Sequence, residues 1–181
     1  MSLLKEHNVF LLQGSNKENR KKYLDESLFL ISKKIGKIIQ KSSYFESEPW
    51  SMNKDTYPFY NRALHVKTFY SPIDILEKIY DIEFFINKKS IMNKKVKNQS
   101  SQNKKFYKDR KIDIDILFYD QIIIHSSILT IPHSLLHLRK FVLVPMCEIL
   151  PKKYHPIFNT TLLEILGVCE DKLKIKKIEF E

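Results

Sequence analysis

Glycine is nearly missing from this chain. Gly14, Gly36 and Gly167 are the only ones in 181 residues, so neither a GxxxxGK[ST] loop nor a GxGxxG turn exists. The two common backbone cradles for nucleotide phosphate are thereby excluded. Cysteine is as scarce: Cys147 and Cys169 are too few for a disulfide framework and have no metal-ligand spacing. Both read as small packed hydrophobes in a reducing compartment. Long apolar runs are missing too, since Val9–Leu12 and Phe141–Val144 fall far short of a bilayer span. Met1–Asn8 carries Lys5, Glu6 and His7 and lacks the apolar centre of a signal peptide. A cytoplasmic protein without membrane contact is expected. Zinc chemistry is disfavoured, because the six histidines are scattered with no His-x-x-x-His pair near a carboxylate. His133 and His137 follow Pro132 at a helix entrance and suit a structural or phosphate-contacting role.

Acidic residues vanish from one stretch. Asn87–Lys108 holds eight lysines and no Asp or Glu, and outside it 23 basic residues face 21 acidic ones. The net charge of +10 is therefore a local excess, not a general basic face for nucleic acid. A Lys/Asn/Ser-rich segment reads as a mobile solvated loop, and functionally as a cationic lid over an anionic substrate. The chain is 43% hydrophobic and 12% aromatic overall, enough for one globular domain spanning 1–181.

The elements alternate in type. Val9–Gln13 reads as a strand closed by Gly14-Ser15-Asn16. A helix over about Asn19–Ile35 carries Leu24, Leu28, Ile31 and Ile35 as its stripe. Ile38–Phe45 reads as a second strand, followed by a polar and aromatic loop through Pro49, Trp50 and Pro58. Asn61–Thr68 alternates as a third strand. Ser71-Pro72-Ile73-Asp74 starts a helix to about Ile86. Ile122–Ile124 is expected to return as a hairpin on the next strand. Thr161-x-x-Glu164 caps a last helix through Cys169, and Ile175, Ile178 and Phe180 line a terminal strand. The order β-α-β-β-α-β predicts an α+β fold with a ferredoxin-like core: an antiparallel sheet with helices packed on it and a long lysine-rich loop inserted.

The chemistry concentrates in Arg110-Lys111-Ile112-Asp113-Ile114-Asp115-Ile116-Leu117-Phe118. Strict alternation makes this a strand with Ile112, Ile114 and Ile116 on one face and Asp113 and Asp115 on the other. Their Cα atoms lie roughly 6.5–7 Å apart. Two carboxylates so placed can straddle a pair of Mg²⁺ ions about 3.5–4 Å apart that clamp phosphates. The bland alternative is solvated charge on an exposed strand. Asp is depleted from strands, and Arg110 suits a migrating phosphoryl oxygen; both observations favour the metal site.

Four segments resemble one family, the 6-hydroxymethyl-7,8-dihydropterin pyrophosphokinases of folate biosynthesis. They are Phe10–Asn16, Ser43–Trp50, Phe59–Ala63, and Arg110–Phe118 continuing to Ile131-Pro132-His133 and Arg139–Met146. The resemblance implies transfer of the β,γ-pyrophosphoryl group of ATP to the pterin 6-hydroxymethyl oxygen, leaving AMP. It places two Mg²⁺ on Asp113 and Asp115, and the pterin ring between Phe59 and Phe141. Asn61 would bond the pterin edge, with Ser47, Glu48 and Trp50 in a loop presented to the ring. ATP would meet Glu83, Ile116, Leu129, Thr130, His133 and Arg139. Arg110 would stabilise the transferring group, and Lys88 stands where the family usually has arginine. The family's Arg-Trp-Gly-Pro-Arg is Phe106-Tyr107-Lys108-Asp109-Arg110 here, which implies a looser lid with weaker transition-state contacts. A monomer with ATP and the pterin as partners is expected. Two alternatives remain open: another two-metal enzyme such as a nucleotidyltransferase, and a non-enzymatic RNA-binding module of the same sheet type.

Overall fold

The computed structural model describes residues 5–51, 56–88 and 110–180. In chain order the elements are β1 (His7–Ser15), α1 (Arg20–Lys34), β2 (Lys37–Lys41), β3 (Tyr44–Ser47), β4 (Phe59–Thr68) and α2 (Pro72–Lys88). Then follow β5 (Asp113–Tyr119), β6 (Ile124–His125), β7 (Thr130–Ile131), α3 (Lys140–Ile149), β8 (Tyr154–His155), β9 (Thr160–Thr161), α4 (Leu162–Val168) and β10 (Ile175–Ile178). A 3₁₀ turn at Leu136–Leu138 precedes α3. The main sheet is antiparallel with the order β10-β3-β4-β1-β5, and β2 pairs the far half of β4. The fold is α+β. Among the described residues no helix is long and apolar enough to cross a membrane.

Strand alternation divides the core into two layers. Val9, Leu11, Leu64, Val66, Ile114 and Ile116 face α1 and α2, meeting Leu24, Ile31, Ile75, Ile79 and Ile82. Phe10, Leu12, Ala63, Leu117 and Phe118 face α3 and α4, meeting Leu143, Met146, Leu162 and Ile165. A charge is buried in the first layer: Arg62, 1% exposed, donates to Gln13, Asp25, Tyr44 and the Leu24 carbonyl. Each of its three guanidinium nitrogens is paired, which is the condition for burying it without a large penalty. Gly36 joins α1 to β2 by necessity, since a Cβ there would stand 2.0 Å from the Lys67 carbonyl oxygen.

Two sequence expectations are corrected. The second strand is two strands. At Ser42-Ser43 the ladder breaks, because the Ser42 hydroxyl takes the Ala63 N–H at 2.9 Å and the Glu148 carboxylate takes the Ser43 N–H at 2.6 Å. β5 and Ile122–Ile124 form no hairpin; Ile124 pairs with Ile131 instead. Asp120 turns the chain away, its carboxylate accepting from Asn8 N–H at 2.8 Å and bonding His7 at 2.7 Å. Lys140–Ile149, to which the sequence pattern assigns no element, is a helix, although Val142, Val144 and Pro145 disfavour one locally. Burial of Val142, Leu143 and Met146 under the sheet outweighs propensity. The Thr161–Glu164 capping box and the β10 strand form as expected. The lysine-rich stretch, from 89 to 109, and with it Phe106–Asp109 of the altered lid, lies outside the described residues.

Candidate active site

The site begins with β5 and its register. Asp113 sits opposite Gly14 and Asp115 opposite Leu12 on β1, while β4 places Asn61 across from Gly14 on the other side. These residues share one face of the sheet, at the end that α3 and α4 leave uncovered. The alternation ends in a bulge: Phe10 faces Phe118 while Leu11 faces Ile116, so Leu117 is the extra residue. The bulge lets both Leu117 and Phe118 enter the layer under α3 without displacing the aspartates upstream.

Arg110 is held on both sides. Its backbone exchanges hydrogen bonds with Asn16, N–H to Oδ1 at 2.9 Å and carbonyl to N–H at 3.2 Å, and its guanidinium donates to Asp113 Oδ1 at 2.5 Å. Glu83 on α2 accepts the Ile114 N–H at 2.6 Å. Burial, then the neighbouring Asp113 and Asp115, push its carboxyl up to about 8. Burial and the adjacent Asp115 raise Asp113 to about 6 despite Arg110. Asp115 is raised as well, chiefly by burial, with Arg139 and Arg110 opposing. The half-buried Asp113 and Asp115, with Glu83 beside them, thus share one neighbourhood where ionisation is costly, which is the electrostatic condition that a cation relieves.

Two cavities meet at the aspartates. The first, about 630 Å³, is walled by Trp50, Phe59 and Phe141, with Asn61, Ser47, Glu48, Leu12, Gly14 and Arg139 completing it. Asn61 Nδ2 donates to Ser47 Oγ at 2.8 Å, and both are about 2% exposed. That bond fixes the amide and leaves its oxygen for the cavity. The Arg139 guanidinium lies 4.4 Å from the Trp50 ring centre and 5.6 Å from that of Phe141, and its buried Nε has no partner among the described residues. The second cavity, about 820 Å³, runs along the open edge of β5 between α2 and the β6–β7 segment. Leu76, Tyr80, Glu83, Ile116, Ile128, Leu129, Thr130, His133 and Ser134 line it. His133 is held neutral, at about 4, mainly by burial and then by Arg139. Its Nδ1 accepts the Leu135 N–H at 3.3 Å, so Nε2 carries the hydrogen and is the donor. Arg110, Asp113 and Asp115 belong to both cavities.

A flat aromatic slot joined to an edge groove through paired carboxylates and an arginine is a place for two substrates to meet. The model of the 7,8-dihydro-6-hydroxymethylpterin-pyrophosphokinase family matches residues 10–151. The pyrophosphokinase of Aquifex aeolicus is 31% identical over 157 residues, covering 86% of this chain and 88% of that protein. This chain belongs to that family. The bifunctional protein FolKE of Lactococcus lactis is 34% identical over 174 residues, covering 94% of this chain and 46% of the relative, so the chain spans about half of that protein. An HPPK-DHPS structure of Plasmodium falciparum shares the fold with a TM-score of 0.72 at 19% identity, covering 92% of this chain and 46% of that one.

Against the pyrophosphokinase pattern, the residues sort between the two cavities with two exceptions. All six positions assigned to the pterin line the first cavity: Ser47, Glu48, Trp50, Phe59, Asn61 and Phe141. Of the positions assigned to ATP, Glu83, Ile116, Leu129, Thr130 and His133 line the second. Arg139, assigned to ATP, lines the aromatic cavity instead. Lys88 lines neither; it is exposed at the end of α2, its Nζ 4.9 Å from the Phe84 ring centre. Sequence reasoning leaves Gly14, Leu12, Asn16 and Tyr80 without a role. For Gly14 and Leu12 the signal is pairing register, which no single segment displays. Asn16 is visible in Gly14-Ser15-Asn16, but its hold on Arg110 is not.

Proposed function

We propose that this chain transfers the β,γ-pyrophosphoryl group of ATP to the hydroxymethyl oxygen of 6-hydroxymethyl-7,8-dihydropterin, giving the pterin diphosphate and AMP. The observation that carries the reading is the junction: both cavities end on Arg110, Asp113 and Asp115. A pterin in the aromatic slot, stacked on Phe59 and Phe141 with Asn61 pairing its edge, directs its side arm at that junction. A triphosphate entering along β5 reaches the same point from the opposite side. The hydroxymethyl oxygen then bonds to the β-phosphorus as the bond from that phosphorus to the AMP oxygen breaks. Positioning and charge stabilisation dominate such transfers, and Arg110, anchored by Asn16, supplies fixed positive charge where the phosphates meet.

Asp113 and Asp115 fit Mg²⁺: they are hard oxygen donors, side by side, with raised proton affinity that a divalent cation relieves. Among the described residues no group of three or more His, Cys, Asp or Glu gathers to hold a metal, so phosphate oxygens and water would complete the coordination. We assign two ions there; when bound, they neutralise phosphate charge. We infer a ferredoxin-like core, a reading supported by the antiparallel order β3-β4-β1-β5. In this reading ATP and the pterin suffice as partners, and a cytoplasmic monomer is adequate.

The test is a product assay with ATP, Mg²⁺ and the dihydropterin. Formation of pterin diphosphate with stoichiometric AMP, abolished in Asp113→Ala/Asp115→Ala, is expected. Appearance of AMP on the pterin, with free pyrophosphate, would assign the site to nucleotidyl transfer instead.

A further inference from the structure

Helix α3 lacks a cap of its own. Arg139 occupies the N-cap position and its side chain makes no capping bond. The missing acceptor comes from 31 residues away: Asp171 Oδ2 takes the Lys140 N–H at 2.9 Å, while Oδ1 takes the Leu173 N–H at 3.0 Å. A carboxylate there also opposes the positive end of the helix. Immediately afterwards the chain reaches the other wall of the aromatic cavity. The Lys174 N–H donates to Glu48 Oε2 at 3.1 Å, and the Lys174 carbonyl accepts the Glu48 N–H at 3.2 Å. β10 then pairs Ile175 with Ser47. Lys177 adds a contact with Glu148, 2.8 Å away, at the far end of α3.

One short segment is therefore bonded to both walls: to the first turn of α3, which carries Arg139 and Phe141, and to the Ser47–Trp50 wall. Those walls already touch through Arg139 stacked on Trp50. The family-model match ends at residue 151, before this segment. We propose that residues 169–178 form a brace that sets the width of the aromatic cavity, with Asp171 as a positioning residue for Arg139 and Phe141. The brace rests on the reading of that cavity as the pterin site. None of its bonds named above reaches a residue lining the groove along β5, so its effect falls on one substrate.

The experiment uses the full chain and its single tryptophan, Trp50, whose emission reports occupancy of the cavity. 6-Hydroxymethyl-7,8-dihydropterin is titrated into the wild type, Asp171→Ala and Asp171→Asn, alongside a non-hydrolysable ATP analogue and steady-state kinetics. Loss of one helix cap predicts pterin affinity weakened about fivefold in Asp171→Ala, with KM for pterin rising in step. ATP-analogue affinity and kcat should stay within about twofold, since the brace bonds lie away from that groove. Asp171→Asn keeps an oxygen acceptor for Lys140 and should recover part of the loss. Equal pterin affinity in wild type and Asp171→Ala overturns the brace alone. So does a loss shared equally by pterin and ATP analogue, which would mark general destabilisation. A wild type that binds no pterin overturns the reading of the cavity, and the brace with it.

Discussion

The same three strands build the driest and the most polar parts of one sheet face. At one end Phe10, Ala63, Leu117 and Phe118 lie under α3 and α4, against Leu143, Met146, Leu162 and Ile165. At the other end Gly14, Asn61, Asp113 and Asp115 lie open to two cavities. Only a few residues of strand separate them, and the chain passes from one to the other without a hinge. At the covered end side chains are apolar and interlocked; at the open end, half-buried acids lie close enough to raise one another's proton affinity. The covered end supplies stability and the open end consumes some of it to hold charges ready for a substrate. Substitutions at the two ends should therefore move stability and activity in opposite combinations.

Asp115→Asn is the sharpest way to break that contrast. Turnover should fall on the order of 10³-fold, as expected when a group that organises phosphate charge is lost. The thermal midpoint without ligands should hold or rise, because a half-buried carboxylate whose ionisation is disfavoured has been replaced by a neutral amide. A variant that lost both would show the aspartate to be structural. Met146→Ala is the converse. Met146 is fully buried under the sheet, and truncation there costs about 2–5 kcal/mol in denaturant unfolding. Pterin and ATP affinities of the remaining folded protein should be unchanged.

A smaller effect separates the groove from the covered end by pH. Glu83 ionises near 8 in the folded chain, against 4.5 ordinarily. Between those values the folded state holds a proton that the unfolded state has released, so stability falls as pH rises. His133 and His155, depressed to about 4, and His65, also depressed, act with the opposite sign at lower pH. Above pH 7 they hold few protons in either state. From pH 7 to 8.5 the wild type should lose about 1 kcal/mol relative to Glu83→Gln, which keeps an acceptor for the Ile114 N–H. Parallel curves for the two proteins would show that Glu83 is not held protonated.

Much of this contrast was legible in the sequence, and the illegible part has physical causes. The period-2 alternation of Ile112–Ile116 is local, so it revealed which residues enter the core and which face the site. Family resemblance then proposed separate pterin and ATP positions, and five of the six proposed for ATP line the groove. Helix α3 was hidden because Val142, Val144 and Pro145 argue against a helix locally, and only packing against the sheet beneath them overcomes that preference. Arg139 points into the other cavity for a related reason: its direction depends on the first turn of α3, which is capped by a residue far along the chain. The break at Ser42-Ser43 rests on Glu148, equally remote. What failed to show was consistently a contact between distant segments.

Gly14 offers the smallest effect and tests what the open end is open for. Its φ is not positive, so alanine is sterically allowed by the backbone. A Cβ there would meet Asn61 Oδ1 at 3.4 Å and Phe59 Cδ1 at 3.8 Å, ordinary contacts that require little adjustment. Glycine in a strand interior costs entropy and packs nothing, so Gly14→Ala should stabilise the free protein by roughly 0.5 kcal/mol. The same methyl would stand in the aromatic cavity beside the Asn61 amide proposed to pair the pterin edge. Pterin affinity should fall several-fold, with ATP-analogue affinity unchanged, in the same Trp50 titration. If the methyl stabilises and leaves pterin binding intact, the room beside Asn61 is not used by substrate, and glycine there reflects tolerance. If it stabilises and weakens pterin alone, the open end is kept empty at a measurable cost to stability.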